Sequence, residues 1–190
     1  MKIIESLEGR RTYYNINKEL PVEEMEVFDL VKKATELVPD AFNMKSSRVV
    51  VVTGEKQNEL WDNIFDVFEG NIKREKIDSF KNGYGTILYF YDEEVVKGVQ
   101  DRFPKYADNF PVWASQSAGM LQISIWSGLK ELGIGASLQH YNPVIDEMVK
   151  KMFGLPKSYI LNAEIPFGGI VSQPDEKAKE DITERVQIIK

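Results

Sequence analysis

A single histidine, no cysteine and three small clusters of cationic and hydroxyl side chains hold the chemistry available to this chain. His140 stands in Gly133-Ile134-Gly135-Ala136-Ser137-Leu138-Gln139-His140-Tyr141-Asn142-Pro143, a short, polar, glycine-loosened stretch. Two glycines, a serine, a glutamine and a histidine offer backbone amides and side-chain donors in one loop. That suits an electron-rich planar ligand, and it equally suits a helix-to-strand corner. Arg10-Arg11-Thr12 could hold a phosphate through charge-assisted bonds, with Lys177 and Lys179 closing from the far end of the sequence. Asn43, Lys45 and Ser46 add amide, ammonium and hydroxyl donors. An arginine pair is more often a solvated surface than a clamp, so these pieces matter only if one ligand joins them.

Several chemistries are excluded by what is missing. Without cysteine there are no disulfides, thiolate nucleophiles or cysteine-held metals. One histidine among scattered carboxylates makes no metal-ligand spacing. No Gly-x-Ser-x-Gly elbow is present, and no Walker or dinucleotide-binding glycine loop follows a strand. The 24 Lys and Arg against 30 Asp and Glu give a net charge of −6, which disfavours a nucleic-acid partner. Glu5 and Glu8 interrupt the N-terminal apolar residues, so no signal peptide is read. No apolar run reaches the roughly 20 residues of a membrane span. These features predict a cytoplasmic protein without a membrane partner. With 190 residues, 43% of them hydrophobic, residues 1–190 are expected to form one domain around a core of their own.

The elements that must position these groups follow from periodicity. Residues 2–8 read as a helix capped by Gly9. Pro21 can open the next helix, whose apolar positions Val27, Leu30, Val31, Ala34 and Leu37 run on towards Pro39. The polar connector from Pro39 to Arg48 leads into Val49-Val50-Val51-Val52, a strand expected to be covered on both faces. A helix over 55–68 and a charged stretch from Gly70 to Asn82 precede a second strand at 86–91. The segment from Pro111 to Leu132 is the longest helix, and its many small residues predict close packing against another helix or, less commonly, a flat ligand. Asn142-Pro143 reads as the cap and first turn of a helix to Phe153. A third strand, Tyr159 to Ile165, is expected to stop at Pro166-Phe167-Gly168-Gly169. Helices interleaved with a few buried strands give an α+β or α/β protein.

Arg10-Arg11-Thr12 followed by Asn43-x-Lys45-Ser46-Ser47-Arg48 resembles the nitroreductase family of flavin enzymes. So do the helix ending in Leu-Gly-Ile-Gly and the late Lys-x-Lys. Two longer strings, Phe110-Pro111-Val112-Trp113-Ala114-Ser115-Gln116-Ser117-Ala118-Gly119-Met120-Leu121-Gln122 and Gly135 to Pro143, are similar to the short fatty-acid-repression-mutant-like subgroup. The likeness runs from Glu8 to about Val186.

The resemblance implies an α+β nitroreductase-like fold, a central mostly antiparallel sheet flanked by helices, in an intertwined homodimer with FMN at the subunit interface. It implies that Arg10, Arg11 and Thr12 face the phosphate and ribityl chain, joined by Lys177 and Lys179. Pro39 to Lys45 would reach the flavin of the neighbouring subunit, chiefly through Asn43. Leu138, Gln139 and His140 would lie along the isoalloxazine. The implied activity takes hydride from NADH or NADPH and reduces nitroaromatics, quinones or similar small acceptors in alternating half-reactions. The cofactor carries the redox chemistry, which explains an enzyme with one histidine and no acid–base pair. His140 is then a wall of the pocket rather than a catalyst. Where many family members carry Lys or Arg two residues beyond the Thr12 position, this chain has Tyr14, which leaves Lys45 as the candidate charge near the flavin pyrimidine. The alternative on the same scaffold is a flavin-binding regulatory or stress-response protein with little turnover.

Overall fold

The computed structural model describes residues 2–178 and 180–190. Five strands form the central sheet: β1 (Ile16–Asn17), β2 (Ser47–Thr53), β3 (Gly85–Asp92), β4 (Gly135–Ala136) and β5 (Tyr159–Ile170). Their order is β1–β5–β3–β2, with β4 also on β5, and every pairing is antiparallel. The helices are α1 (Lys2–Gly9), α2 (Glu24–Leu37), α3 (Glu55–Val67), α4 (Arg74–Lys81), α5 (Glu93–Arg102), α6 (Phe110–Glu131) and α7 (Asp146–Phe153).

Alternation along β3 sorts the core into two layers, because successive side chains of a strand point to opposite faces. Ile87 and Tyr89 pack with Val27 and Val31 of α2 and with Leu121, Ile125 and Leu129 of α6. Leu88 and Phe90 pack with Leu60, Trp61 and Ile64 of α3, Ile77 and Phe80 of α4, and Val149 of α7. A polar chain crosses this second layer and is fully satisfied: Trp61 Nε1 donates to Thr86 Oγ1, Thr86 Oγ1 to Gln57 Oε1, and Gln57 Nε2 to the Phe80 carbonyl. Among the small residues of α6, Gly128 serves close packing against α2, whereas Gly119 faces open space. A Cβ on Gly128 would stand 2.4 Å from Leu30 Cδ1 of α2.

Three local expectations are corrected. The second helix begins at Glu24, three residues beyond Pro21, with Glu24 and Glu26 in its positive first turn. β2 is an edge strand, yet it is covered on both faces as expected, Val49 and Val51 packing on one layer of the core and Val50 and Val52 on the other. Pro143 lies in the turn ahead of α7, after a cis Asn142–Pro143 peptide, and the helix starts at Asp146. β5 does not stop at Pro166 but continues to Ile170. Pro166 loses only a donor, and its carbonyl still accepts the Ser137 N–H at 3.2 Å. Gly168 and Gly169 are within the strand because neighbouring backbone crowds them. A Cβ there would meet the Asn17 carbonyl at 2.2 Å and the Glu19 carbonyl at 2.1 Å.

Candidate functional site

A cavity of about 930 Å³ lies where the chain leaves α1, and Arg10, Arg11, Thr12 and Lys177 all line it. The segment is held at both ends: the Arg10 N–H donates to the Ser6 carbonyl at 2.9 Å, and the Tyr13 N–H to the Ala136 carbonyl at 3.0 Å. The Arg10 guanidinium lies 4.0 Å over the Trp126 ring, and Trp126 is itself fixed by a bond from Nε1 to the Ala136 carbonyl. Nε and Nη1 of Arg10 are buried and have no partner. Burial, and then the neighbouring Arg11 charge, lower the Arg10 pKa from its ordinary value. The cation is packed against an aromatic face and beside a like charge, and among the described residues no anion lowers that cost. Arg11 is engaged, donating through Nη2 to the Asp175 carbonyl, which ties the C-terminal segment to the cavity rim. Lys177 is exposed on that rim, while Lys179 lies outside the described residues.

The stretch 133–143 runs along the free side of β5. Gly133, with φ +77°, terminates α6, and the Ile134 N–H donates back to the Leu129 carbonyl at 2.9 Å, a helix-stop geometry. Gly135 is required by packing, since a Cβ would stand 2.9 Å from Ile170 and 3.1 Å from Ile16 and Tyr13. Gly133 therefore stops a helix and Gly135 admits a strand. Ser137 donates its N–H to the Pro166 carbonyl, and Gln139 exchanges both backbone bonds with Glu164 at 2.8 and 3.0 Å. The Gln139 amide is thus consumed, and its side chain turns inward to Ser137 Oγ at 3.0 Å. In an antiparallel pair the intervening N–H groups point the other way, so Leu138 and His140 are the residues whose amides face outward. Leu138 is half-buried and His140 exposed.

Asn43 and Lys45 line a separate cavity of about 320 Å³, together with Thr35, Glu36, Asp40 and Arg48. The connector that carries them is unusually strained: Phe42, Asn43 and Lys45 have φ of 53°, 52° and 56°. Asp40 holds it closed, accepting the Ser46 N–H and hydroxyl through Oδ2, both at 2.7 Å. Phe42 is 49% exposed and lies among Phe103, Tyr106, Phe110 and Trp113, with the Trp113 ring stacked 5.8 Å away. The fold therefore brings together Arg10, Arg11, Thr12 and Lys177, and within one chain keeps Asn43 and Lys45 in a different cavity.

The Nitroreductase family model matches residues 7–169. The chain belongs to the nitroreductase family. Its fold is close to that of nitroreductase CinD from Lactococcus lactis, solved in complex with nicotinic acid: 42% identity, a TM-score of 0.94, and coverage of 99% of this chain and 100% of that one. The same enzyme has been solved with chloramphenicol and with 4-nitrophenol. Nitroreductase FRM2 of Saccharomyces cerevisiae is 30% identical over 179 residues, 92% of this chain and 91% of its own. That likeness bears out the fatty-acid-repression-mutant subgroup. A protein of Exiguobacterium sibiricum solved with FMN shares the fold, with a TM-score of 0.76 at 15% identity. As a nitroreductase-family member the protein is an oxidoreductase.

Two residues of the site escape a reading of motifs. Trp126, the platform under Arg10, is one aromatic among many in an apolar helix and carries no signal of its own. Glu164 does: it is a lone acid in Tyr159-Ile160-Leu161-Asn162-Ala163-Glu164-Ile165, and its side chain is wholly buried. Burial lifts its carboxyl well above the usual range, to about 8. Oε2 accepts the Tyr141 N–H at 3.0 Å, and Oε1 has no partner.

Proposed function

We propose that this nitroreductase-family protein is an FMN-dependent oxidoreductase that draws on NADH or NADPH and reduces nitroaromatics, quinones or similar acceptors by a ping-pong mechanism. The observation that carries the reading is the Arg10 guanidinium. Two buried donors without a partner are expensive to leave unmade, and here they accompany a second arginine, a threonine and a lysine around one cavity. A dianionic phosphate would supply the missing acceptors and neutralise the paired charges. That donor set fits the phosphate end of FMN, and the outward amides of Leu138 and His140 fit the edge of a flat ring.

FMN, when bound, would supply the electron-transfer chemistry. The chain's own part is to bind and orient. Arg10, Arg11, Thr12, Lys177 and Lys179 would hold the phosphate end. Leu138 and His140 would offer donors at the ring, and buried Gln139 would brace that edge. A pocket wall of this kind needs no titrating side chain, so exposed His140 shapes the pocket. Asn43 and Lys45 would act on the flavin of a second copy, a reading supported by their separate cavity and their strained, solvent-facing connector. Met120 and Ile123 of α6 and Ile3 and Ile4 of α1, all exposed, support a homodimer. The nitro compound and the nicotinic acid bound by CinD support the acceptor class and a nicotinamide reductant.

The test is an absorbance spectrum of the purified protein followed by titration with NADH or NADPH without air. Yellow protein that bleaches, and recovers its colour with a nitroaromatic, is the expected result. Colourless protein that takes up no added FMN would overturn the reading. Bound flavin that no reductant bleaches would favour the regulatory alternative.

A further inference from the structure

The pairing between residues 135–141 and β5 advances in steps of two. Gly135 faces Gly168, Ser137 donates to Pro166, and Gln139 bridges Glu164. The next rung would set the Tyr141 N–H against the Asn162 carbonyl. It is not made. On its other edge β5 shifts register against β3 between Tyr89 and Phe90, pairing Ala163 and Leu161 and leaving Asn162 as the extra residue of a bulge. The Asn162 side chain turns to α6, accepting from Gln122 Nε2 at 2.7 Å. The Glu164 carboxyl takes over the open rung and accepts the Tyr141 N–H itself.

We propose that Glu164 is a positioning residue that latches the turn Ser137–Tyr141, the ring edge of the proposed flavin site, and that the latch holds while Glu164 carries its proton. The proposal rests on the flavin reading only for its consequence; the latch is a property of the chain. Its geometry favours the neutral acid, because an ionised carboxylate would leave Oε1 charged, buried and unpaired. Among the described residues no cation faces it closely enough to reverse this. Asp146, from the first turn of α7, adds a second carboxylate with a buried, unpartnered Oδ1 and a raised pKa, caused first by burial. Lys150 one turn on is engaged with Glu147 at 2.6 Å. Tyr141 is pushed up to about 12, by burial first and then by Glu164. Tyr14 adds to that effect on Tyr141, and Lys76 of α4 lies 5.8 Å over the Tyr141 ring.

The sign follows from linkage. Closing the latch buries the carboxyl, and burial lifts it from its ordinary 4.5 to about 8; the Tyr141 N–H bond, which lowers it, offsets this only in part, and Asp146 adds to the rise. Closure is therefore fully supported below the ordinary value, weakens as pH rises towards 8, and levels off above it.

Amide hydrogen exchange of residues 137–141 in the apo-protein, corrected for the intrinsic pH dependence, reads the latch without flavin. Wild-type protection should fall by up to about tenfold per pH unit across the window and level off above it. Glu164→Gln keeps an acceptor for Tyr141 without titrating, so its protection should be flat. Glu164→Leu removes the acceptor and should be poorly protected at every pH. Wild-type protection that is flat from pH 5 to 9, or a Glu164→Gln profile that follows the wild-type slope, would overturn the proposal. FMN titrations at the same pH values form the second arm, with affinity expected to weaken at the alkaline end in wild type but not in Glu164→Gln. A latch that loosens with pH in a protein that never binds FMN would sustain Glu164's role and remove the flavin reading.

Discussion

In the proposed site Arg10 serves a ligand rather than the stability of the free chain. Its guanidinium is pressed on Trp126, partly desolvated, beside Arg11 and short of two acceptors. Arg10→Met keeps the hydrocarbon stem against the indole and removes the unmatched charge. The expected outcome is a thermal midpoint of the apo-protein equal to or above wild type, while FMN affinity measured by fluorescence quenching falls about 10- to 150-fold. That range follows from about 1.5–3 kcal/mol for one hydrogen bond to a charged group. A variant that lost stability and kept its affinity would place Arg10 in the scaffold. At this scale the sequence speaks unevenly. The cluster of Arg10, Arg11 and Thr12 is legible because adjacent cations are chemically conspicuous. Which of the two arginines stands unpartnered is not, because it depends on a tryptophan more than a hundred positions away.

Periodicity located nearly every element, and it failed where backbone meets backbone. Pro166, Gly168 and Gly169 read as the end of a strand, since proline lacks a donor and glycine weakens pairing. In the structure the strand runs through them to Ile170, and Asn17 and Glu19 pass too close to the two glycines for any side chain. Only the tertiary arrangement shows that. Replacing either glycine by alanine should therefore destabilise the protein by at least about 1–3 kcal/mol, the usual effect of forcing atoms into a packed site. Gly98, exposed within α5, makes the contrasting case, since a Cβ there would meet nothing within 4 Å. Gly98→Ala should stabilise by up to about 1 kcal/mol, because alanine is the better helix former. Chemical denaturation of the three variants tests both signs. The valine run shows the same limit: a string of β-branched residues fixes a strand, yet its place at the sheet's edge is set by strand order.

For the whole molecule, the site as proposed is incomplete in one chain. Arg10 to Thr12 and Lys177 line one cavity, and Asn43 and Lys45 another. If a second copy closes the gap, dimerisation and cofactor retention are one property. Met120→Glu combined with Ile123→Glu places two charges on the exposed apolar side of α6. Light scattering should report a monomer, and the protein should lose its FMN in parallel. A dimer that persists, or a monomer that stays yellow, contradicts the arrangement. The edge position of β2 bears on such a separation. Val49, Val50, Val51 and Val52 form an uninterrupted β-branched run without proline, and among the described residues no strand pairs with the outer side of β2. A row of free backbone donors and acceptors beside such side chains is a template for another extended chain. If the proposed homodimer covers this edge, copies forced apart would expose a nucleus for fibril growth, and assembly would serve solubility as well as catalysis.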